Sequence, residues 1–157
     1  MIAVLQRVKK ASVDVDGRTV GRCGAGLCVL LGVAAGDTEE DADALVQKIV
    51  ALRIFTDGQG KMNLSLQDIG GGMLVISNFT LLAAYRKGKR PDFTAAAPAG
   101  EAERLYRYFA DRCRDMTGQV ECGVFGAHME LSLTDDGPVT IVMDSKVLLK
   151  CTGEAHT

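Results

Sequence analysis

The sequence predicts an α/β domain in which a sheet of several strands packs with two main helices. Three observations carry this: β-branched runs near both ends of the chain, a continuous apolar run at residues 27–33, and two stretches whose apolar residues recur with helical period. With 157 residues, 47% of them hydrophobic and 24% charged, the chain can close one core without disulfides or metals and is too apolar for intrinsic disorder.

Residues 2–8 (Ile-Ala-Val-Leu-Gln-Arg-Val) and 12–16 (Ser-Val-Asp-Val-Asp) read as two strands, and Asp16-Gly17 turns the chain into Thr19-Val20, so the domain opens as a β-meander. Residues 27–33 read as a strand buried on both faces. The glycines before it run G-x-x-G-x-G, with no Walker lysine after them, which excludes the dinucleotide and P-loop readings. Thr38 with Asp41 looks like a capping box, and Ala42, Leu45, Val46, Ile49 and Val50 continue it as an amphipathic helix to about residue 52. The acidic run 37–41 fits charge at a helix N-terminus better than a metal site.

Residues 53–56 and 73–79 read as strands, the second following the triple-glycine break at 70–72. No period holds from 82 to 98, a long loop of the kind that carries function. Pro98 precedes a second helix, whose apolar face is Ala102, Leu105, Tyr106, Phe109, Ala110, Cys113 and Met116 and which ends near Gly118. Residues 129–134 alternate as a half-buried strand, and Asp136-Gly137-Pro138 separates it from the strand 139–143. A single domain thus spans residues 1–145, and 146–157 is expected as a fraying tail.

Composition excludes several function classes. The longest uncharged apolar stretch, residues 25–36, is short of the roughly 18 residues a membrane span needs, and Gln6-Arg7 breaks the first apolar run before a signal-peptide core forms, so a cytoplasmic protein is expected. Five scattered cysteines (Cys23, Cys28, Cys113, Cys122, Cys151) without a C-x-x-C spacing suggest reduced, mostly buried thiols, not a disulfide framework or a zinc site. The two histidines, His128 and His156, lie near no cluster that could complete a metal shell, and no cofactor is implied. A net charge of −2 means that attraction to a polyanion must come from a local patch.

Three features could carry chemistry. Ser77 and Thr80 are candidate hydroxyl nucleophiles, but a triad needs a histidine base; His156 falls in the tail, and His128 shares the parity of Glu130 and Ser132 and so faces solvent. Proton transfer would then fall to the substrate. Arg86, Lys87, Lys89 and Arg90, with Tyr85 and Phe93 near the ends of the run, can neutralise phosphates or form a plain solvated loop. Gly137-Pro138 on residue type alone is a β-turn.

Together these residues resemble a family. Ser77-Asn78-Phe79-Thr80-Leu81 and Asp135-Asp136-Gly137-Pro138-Val139-Thr140 resemble the two signature motifs of the D-aminoacyl-tRNA deacylases, S-Q-x-T-L and N-x-G-P-x-T. Residues 1–8 with Ala11-Ser12-Val13, the glycine-led strand 24–33, Arg53-Ile54-Phe55, Gly60-Lys61-Met62-Asn63, Arg90-Pro91 with Phe93, and Phe125 with Met129 follow in the same order, so the resemblance runs to about residue 145. Two positions depart from the motifs. Asn78 replaces the usual glutamine with an amide one methylene shorter, and Asp135 replaces the usual asparagine with a carboxylate that, ionised, only accepts hydrogen bonds.

The resemblance implies a mixed, largely antiparallel, barrel-like sheet with two main helices, in a homodimer whose active sites lie at the interface. A cis Gly137-Pro138 from one subunit would enter the other's pocket. It implies hydrolysis of the ester joining a D-amino acid or glycine to the 3′ end of charged tRNA, assisted by the RNA's own 2′-hydroxyl and by backbone N–H groups around the oxyanion. By carry-over Ser77, Asn78, Phe79 and Thr80 would line the ester, with Ser77, Asn78 and Thr80 as the catalytic set and Thr80 as direct nucleophile an open alternative. Gly137 and Pro138 would face the substrate's amino group and Cα, Arg7 would hold their loop, and Phe125 and Met129 would pack near the terminal adenosine. Arg86, Lys87, Lys89 and Arg90 would contact the tRNA. A dimer that binds the RNA end without catalysis, and a purely structural domain, are the competing classes.

Overall fold

The structure, a computed structural model, describes residues 1–151; the expectations for residues 152–157 and for the Cys151 side chain lie outside the described residues. Eight strands and three α-helices follow one another as β1 (Ile2–Val15), β2 (Arg18–Cys23), β3 (Gly26–Gly32), α1 (Glu39–Ala51), β4 (Phe55–Thr56), β5 (Met62–Leu64), β6 (Gly72–Ser77), α2 (Ala99–Thr117), β7 (Val120–Cys122), β8 (Glu130–Asp144) and α3 (Ser145–Cys151). The main sheet runs β2-β1-β3-β6-β7, with β8 along the other edge of β1, and β4 and β5 form a separate hairpin. Pairings of β1 with β2, β3 and β8 are antiparallel; β3 with β6 and β6 with β7 are parallel. The sheet curls until its ends approach: the Arg22 backbone N–H of β2 donates to Glu121 Oε2 of β7 at 2.8 Å. A mixed, nearly closed barrel results.

Several expected boundaries are corrected, among them the strand expected at 53–56, which is only Phe55–Thr56. Residues 2–8 and 12–16, read as two strands, form the single strand β1, because the chain exchanges β3 for β2 as partner across exposed Lys9 and Lys10 while β8 pairs with it throughout. The strand expected to end before Asp136-Gly137-Pro138 likewise continues through them as β8, its register on β1 slipping at irregularities between Gln6 and Val8 and between Val8 and Lys10. Phe79, read as the end of a strand, instead begins a 3-10 turn, Phe79–Leu82.

Helices α1 and α2 cover one face of the sheet. Leu45, Val46 and Ile49 of α1 and Leu105, Phe109 and Cys113 of α2 pack without exposure beside Ala3 and Leu5 of β1, Leu27 and Val29 of β3, and Met73 and Val75 of β6. Each large apolar side chain buried there contributes about 1.5–3 kcal/mol relative to exposure. The helices are tied together by Asp43, which accepts from Tyr108 Oη at 3.0 Å and Arg112 Nε at 2.9 Å. A second, smaller cluster on the sheet, built from Val8, Ala11, Val13, Cys28, Leu74 and Ile76, leads towards the site described below.

Residues 146–151, expected as the start of a fraying tail, belong to α3, which is anchored through charge. Ser145 Oγ and Lys146 Nζ each donate to Asp41 Oδ1 at 2.7 Å, and the Met1 amine reaches Ser145 Oγ and Asp37 Oδ2, both at 2.7 Å. Burial alone would raise the Asp41 carboxyl, but hydrogen bonds from Lys146, Ser145 and Thr38 outweigh it and bring the pKa down to about 2. A lowered carboxylate pKa stabilises the fold above the unfolded value near 3.8, and that contribution is lost as pH falls towards 2. Between pH 5 and pH 2, unfolding free energy measured in urea should therefore drop by about 2 kcal/mol more in the wild type than in Asp41→Asn. Identical pH profiles for the two proteins would overturn the assignment.

Candidate active site

Strand β6 runs parallel to β3, and its last residue, Ser77, lies in register with Leu31. The Asn78 N–H donates to Leu31 O at 2.8 Å, which fixes the point where the chain leaves the sheet. Asn78 then caps the 3-10 turn: its Oδ1 accepts from the Thr80 backbone N–H at 3.2 Å and from Thr80 Oγ1 at 2.5 Å. The shorter amide noted in the sequence is thus long enough to fix Thr80, and the Thr80 hydroxyl proton is directed at an amide oxygen, not at a base.

This turn walls a cavity of about 830 Å³. Ser77, Asn78, Phe79 and Thr80 line one side, Phe125, Met129 and Leu131 another, and Leu30, Leu31, Val33 and Ile76 of the sheet region a third. The remaining wall is small: Ala96, Ala97, Ala99 and Ala102. The loop is drawn to that place by backbone bonds from Ala35 N to Ala95 O and from Ala97 N to Val33 O, both 2.9 Å. Phe79, 57% exposed, meets Phe93 edge-on with ring centres 5.1 Å apart, so an aromatic pair stands at the mouth.

Tyr106, which sequence reasoning assigned only to the apolar face of a helix, lines the same cavity and donates from its hydroxyl to Val75 O at 2.8 Å. Its ring tilts against Phe125 at 5.9 Å, and burial raises its hydroxyl pKa, so it remains a neutral donor. Gly32 was also missed. A Cβ there would stand 3.0 Å from Asn78 O and 2.5 Å from Leu82 Cδ2, so the residue without a side chain lets the turn settle against β3. A tyrosine among aliphatic face residues and a glycine closing an apolar strand were the available signals.

The other expected site residues fall elsewhere. Gly137 and Pro138 are exposed on β8, line no wall of this chain's cavity, and are joined by a cis peptide. Arg7 is buried and donates from Nε to Asp136 O at 2.7 Å and from Nη1 to Ile54 O at 2.6 Å, clamping the start of the Gly-Pro segment to the chain before β4. Arg86, Lys87, Lys89 and Arg90 form the exposed tip of a loop that leaves the 3-10 turn. His128 is exposed on the cavity rim. Burial pushes the Cys28 and Cys113 thiols up to about 12, which leaves them unreactive. Among the described residues no three His, Cys, Asp or Glu side chains gather as a metal shell.

A family model described as D-Tyr-tRNA(Tyr) deacylase matches residues 4–144. The chain belongs to the D-Tyr-tRNA(Tyr) deacylase family. A D-aminoacyl-tRNA deacylase from Caldicellulosiruptor saccharolyticus is 59% identical over 146 residues, covering 93% of this chain and 98% of its own length. One from Dehalococcoides mccartyi is 58% identical over the same number of residues, covering 93% and 95%. Among solved structures, one described as c-Myc DNA Unwinding Element Binding Protein superposes with a TM-score of 0.87 at 40% identity over 92% of this chain and 98% of that one. Another, described as a probable eukaryotic D-amino acid tRNA deacylase, gives a TM-score of 0.80 at 20% identity over 91% and 98%, and shares the fold. Both Tyr106 and Gly32 lie within the segment that matches the deacylase family.

Proposed function

We propose that this deacylase-family chain cleaves the ester between a D-amino acid and the 3′-terminal ribose of tRNA, releasing free amino acid and tRNA as chiral proofreading. Glycyl-tRNA mischarged on tRNA-Ala is its second substrate. The observation that carries the reading is the open cavity of about 830 Å³ with Ser77, Asn78 and Thr80 on one wall. That wall supplies an ester site: the Asn78 amide fixes the turn against which the ester is positioned, and Phe125 with Met129 holds the terminal adenosine across the cavity. The cytoplasm, where charged tRNA is used, is its place of work.

The working unit is a homodimer. Gly137 and Pro138 are exposed and lie outside their own chain's cavity, yet a buried arginine holds their segment in place through Asp136 O. A second copy offers the pocket they enter, so each site draws on both chains. Sedimentation should give twice the chain mass, and dilution below the dimer's dissociation constant should abolish turnover.

The deciding experiment is release of D-tyrosine from D-tyrosyl-tRNA by stoichiometric and by catalytic amounts of protein. Multiple turnovers support the enzyme; tight binding of charged tRNA with no ester loss above the spontaneous rate would assign the chain to non-catalytic RNA-end binding.

A further inference from the structure

The loop after the 3-10 turn is a closed hairpin. Ala84 N donates to Asp92 O at 2.7 Å and Asp92 N to Ala84 O at 2.8 Å, while Asp92 Oδ1 accepts from Thr94 N at 2.7 Å. Gly88, at φ 70°, reverses the chain at the tip, a conformation glycine adopts without steric cost. Tyr85 follows the closing Ala84 directly and is 83% exposed. Arg86, Lys87, Lys89 and Arg90 complete the tip, all exposed, and among the described residues none of the four forms an ion pair with a carboxylate.

A lone exposed tyrosine is ordinary. What points to a ligand is its setting: one aromatic face among four unpaired cations, on a backbone pinned by two hydrogen bonds, just beyond the turn that carries Thr80 and walls the cavity. Aromatic faces flanked by cations are how proteins hold unpaired nucleotides, whose bases are free to stack. A duplex would offer this hairpin phosphates but no open base face.

We propose that Tyr85 is a stacking platform for an unpaired base that precedes the terminal adenosine, with Arg86, Lys87, Lys89 and Arg90 neutralising the phosphates on either side. The proposal rests on the tRNA reading above and adds to it a binding residue outside the cavity. It makes the hairpin a reader of single-stranded RNA and not of the helical stem. Tyr85 acts on binding and leaves the chemistry of the ester untouched.

The test compares binding of uncharged tRNA, measured by fluorescence anisotropy, with binding of the same tRNA lacking all its unpaired 3′ nucleotides. Tyr85→Ala should weaken binding of the full tRNA by about five- to a hundredfold, Tyr85→Phe by less than about twofold, and neither should alter binding of the truncated RNA. The salt slope should stay the same in Tyr85→Ala and become shallower, by about 0.7 for each phosphate that is no longer neutralised, when all four cations are changed to glutamine. Full-strength binding by Tyr85→Ala, or an equal loss on the truncated RNA, overturns the proposal; so does a loss that tracks a changed sedimentation coefficient, which would make Tyr85 a protein contact. The adenosine 3′-ester of D-tyrosine, which has no preceding nucleotide, should be hydrolysed equally by wild type and Tyr85→Ala. If the wild type hydrolyses neither that ester nor charged tRNA, the deacylase reading fails, and the anisotropy comparison still decides the role of Tyr85.

Discussion

The wild-type protein should hydrolyse D-tyrosyl-tRNA at least about a thousandfold faster than L-tyrosyl-tRNA, a difference of about 4 kcal/mol in transition-state stabilisation. In the proposed dimer the walls facing the substrate's Cα are main-chain atoms of Gly137 and Pro138, and main chain cannot rotate aside as a side chain can. An L side chain of any chemistry meets that wall, whereas glycine and D-residues place only hydrogen there. Selectivity is then broad in side-chain type and strict in handedness, because it works by rejection. The position of the wall depends on Gly137 itself, which sits at φ 148°, and a Cβ added there would stand 2.7 Å from Val139 N and 2.9 Å from Val139 Cγ2. Gly137→Ala should cost about 1–3 kcal/mol in backbone strain and move the wall, so D-tyrosyl-tRNA hydrolysis should fall by about 5- to 150-fold. Initial rates on one tRNA charged with D-Tyr, L-Tyr or glycine, for wild type and Gly137→Ala, measure both effects. Comparable wild-type rates on D-Tyr and L-Tyr would end the main-chain exclusion argument.

The parts of this molecule that were legible in the sequence are those decided by neighbours along the chain. Helix α1 follows its capping pair, Thr38 N–H donating to Asp41 Oδ2 at 2.9 Å, and α2 stops where Gly118 N donates to Arg114 O. The buried strand β3 showed itself as an unbroken apolar run because both its faces are covered: Leu27, Val29 and Leu31 lie in the core under the helices, and Cys28 and Leu30 in the second cluster. What was not legible depends on partners far away. Nothing in residues 9–10 says that β8 will carry β1 across its polar break, and nothing in residues 145–151 says that Asp41, over a hundred positions earlier, will hold the start of a helix. In the site, the Ser77–Thr80 wall followed from its motif, but in the alanine wall Ala96 and Ala97 came from a loop without period, and Ala102 showed itself only as part of the apolar face of α2. Those alanines matter because they are small: the space they leave is the cavity.

Replacing the substrate's 2′-hydroxyl should hurt more than removing any hydroxyl of the protein. A tRNA ending in 2′-deoxyadenosine and charged with D-tyrosine on its 3′-oxygen should be hydrolysed about a hundredfold or more slowly than the ribose form, within the roughly 10²–10⁴-fold that positioned proton transfer usually contributes. The reason lies in what surrounds the ester site. Thr80 Oγ1 gives its hydrogen bond to Asn78 Oδ1 at 2.5 Å, an acceptor that cannot take the proton away, and the one histidine near the cavity among the described residues, His128, is exposed at its rim. The Tyr106 hydroxyl is committed to Val75 O, with its pKa raised by burial. Among the described residues no side chain in the cavity is thus set as a general base, whereas the vicinal 2′-hydroxyl of the terminal ribose adjoins the reacting carbonyl in every natural substrate. Thr80→Ala removes one hydrogen bond of the turn and leaves the Asn78 cap on the backbone N–H of residue 80, so it should keep activity within about tenfold of wild type. Single-turnover rates on the ribose and deoxyribose esters, for wild type and Thr80→Ala, separate the two contributions from binding. Equal wild-type rates on the two esters, or loss of all turnover in Thr80→Ala while its affinity for uncharged tRNA is unchanged, would return the proton transfer to the protein and make Thr80 the nucleophile.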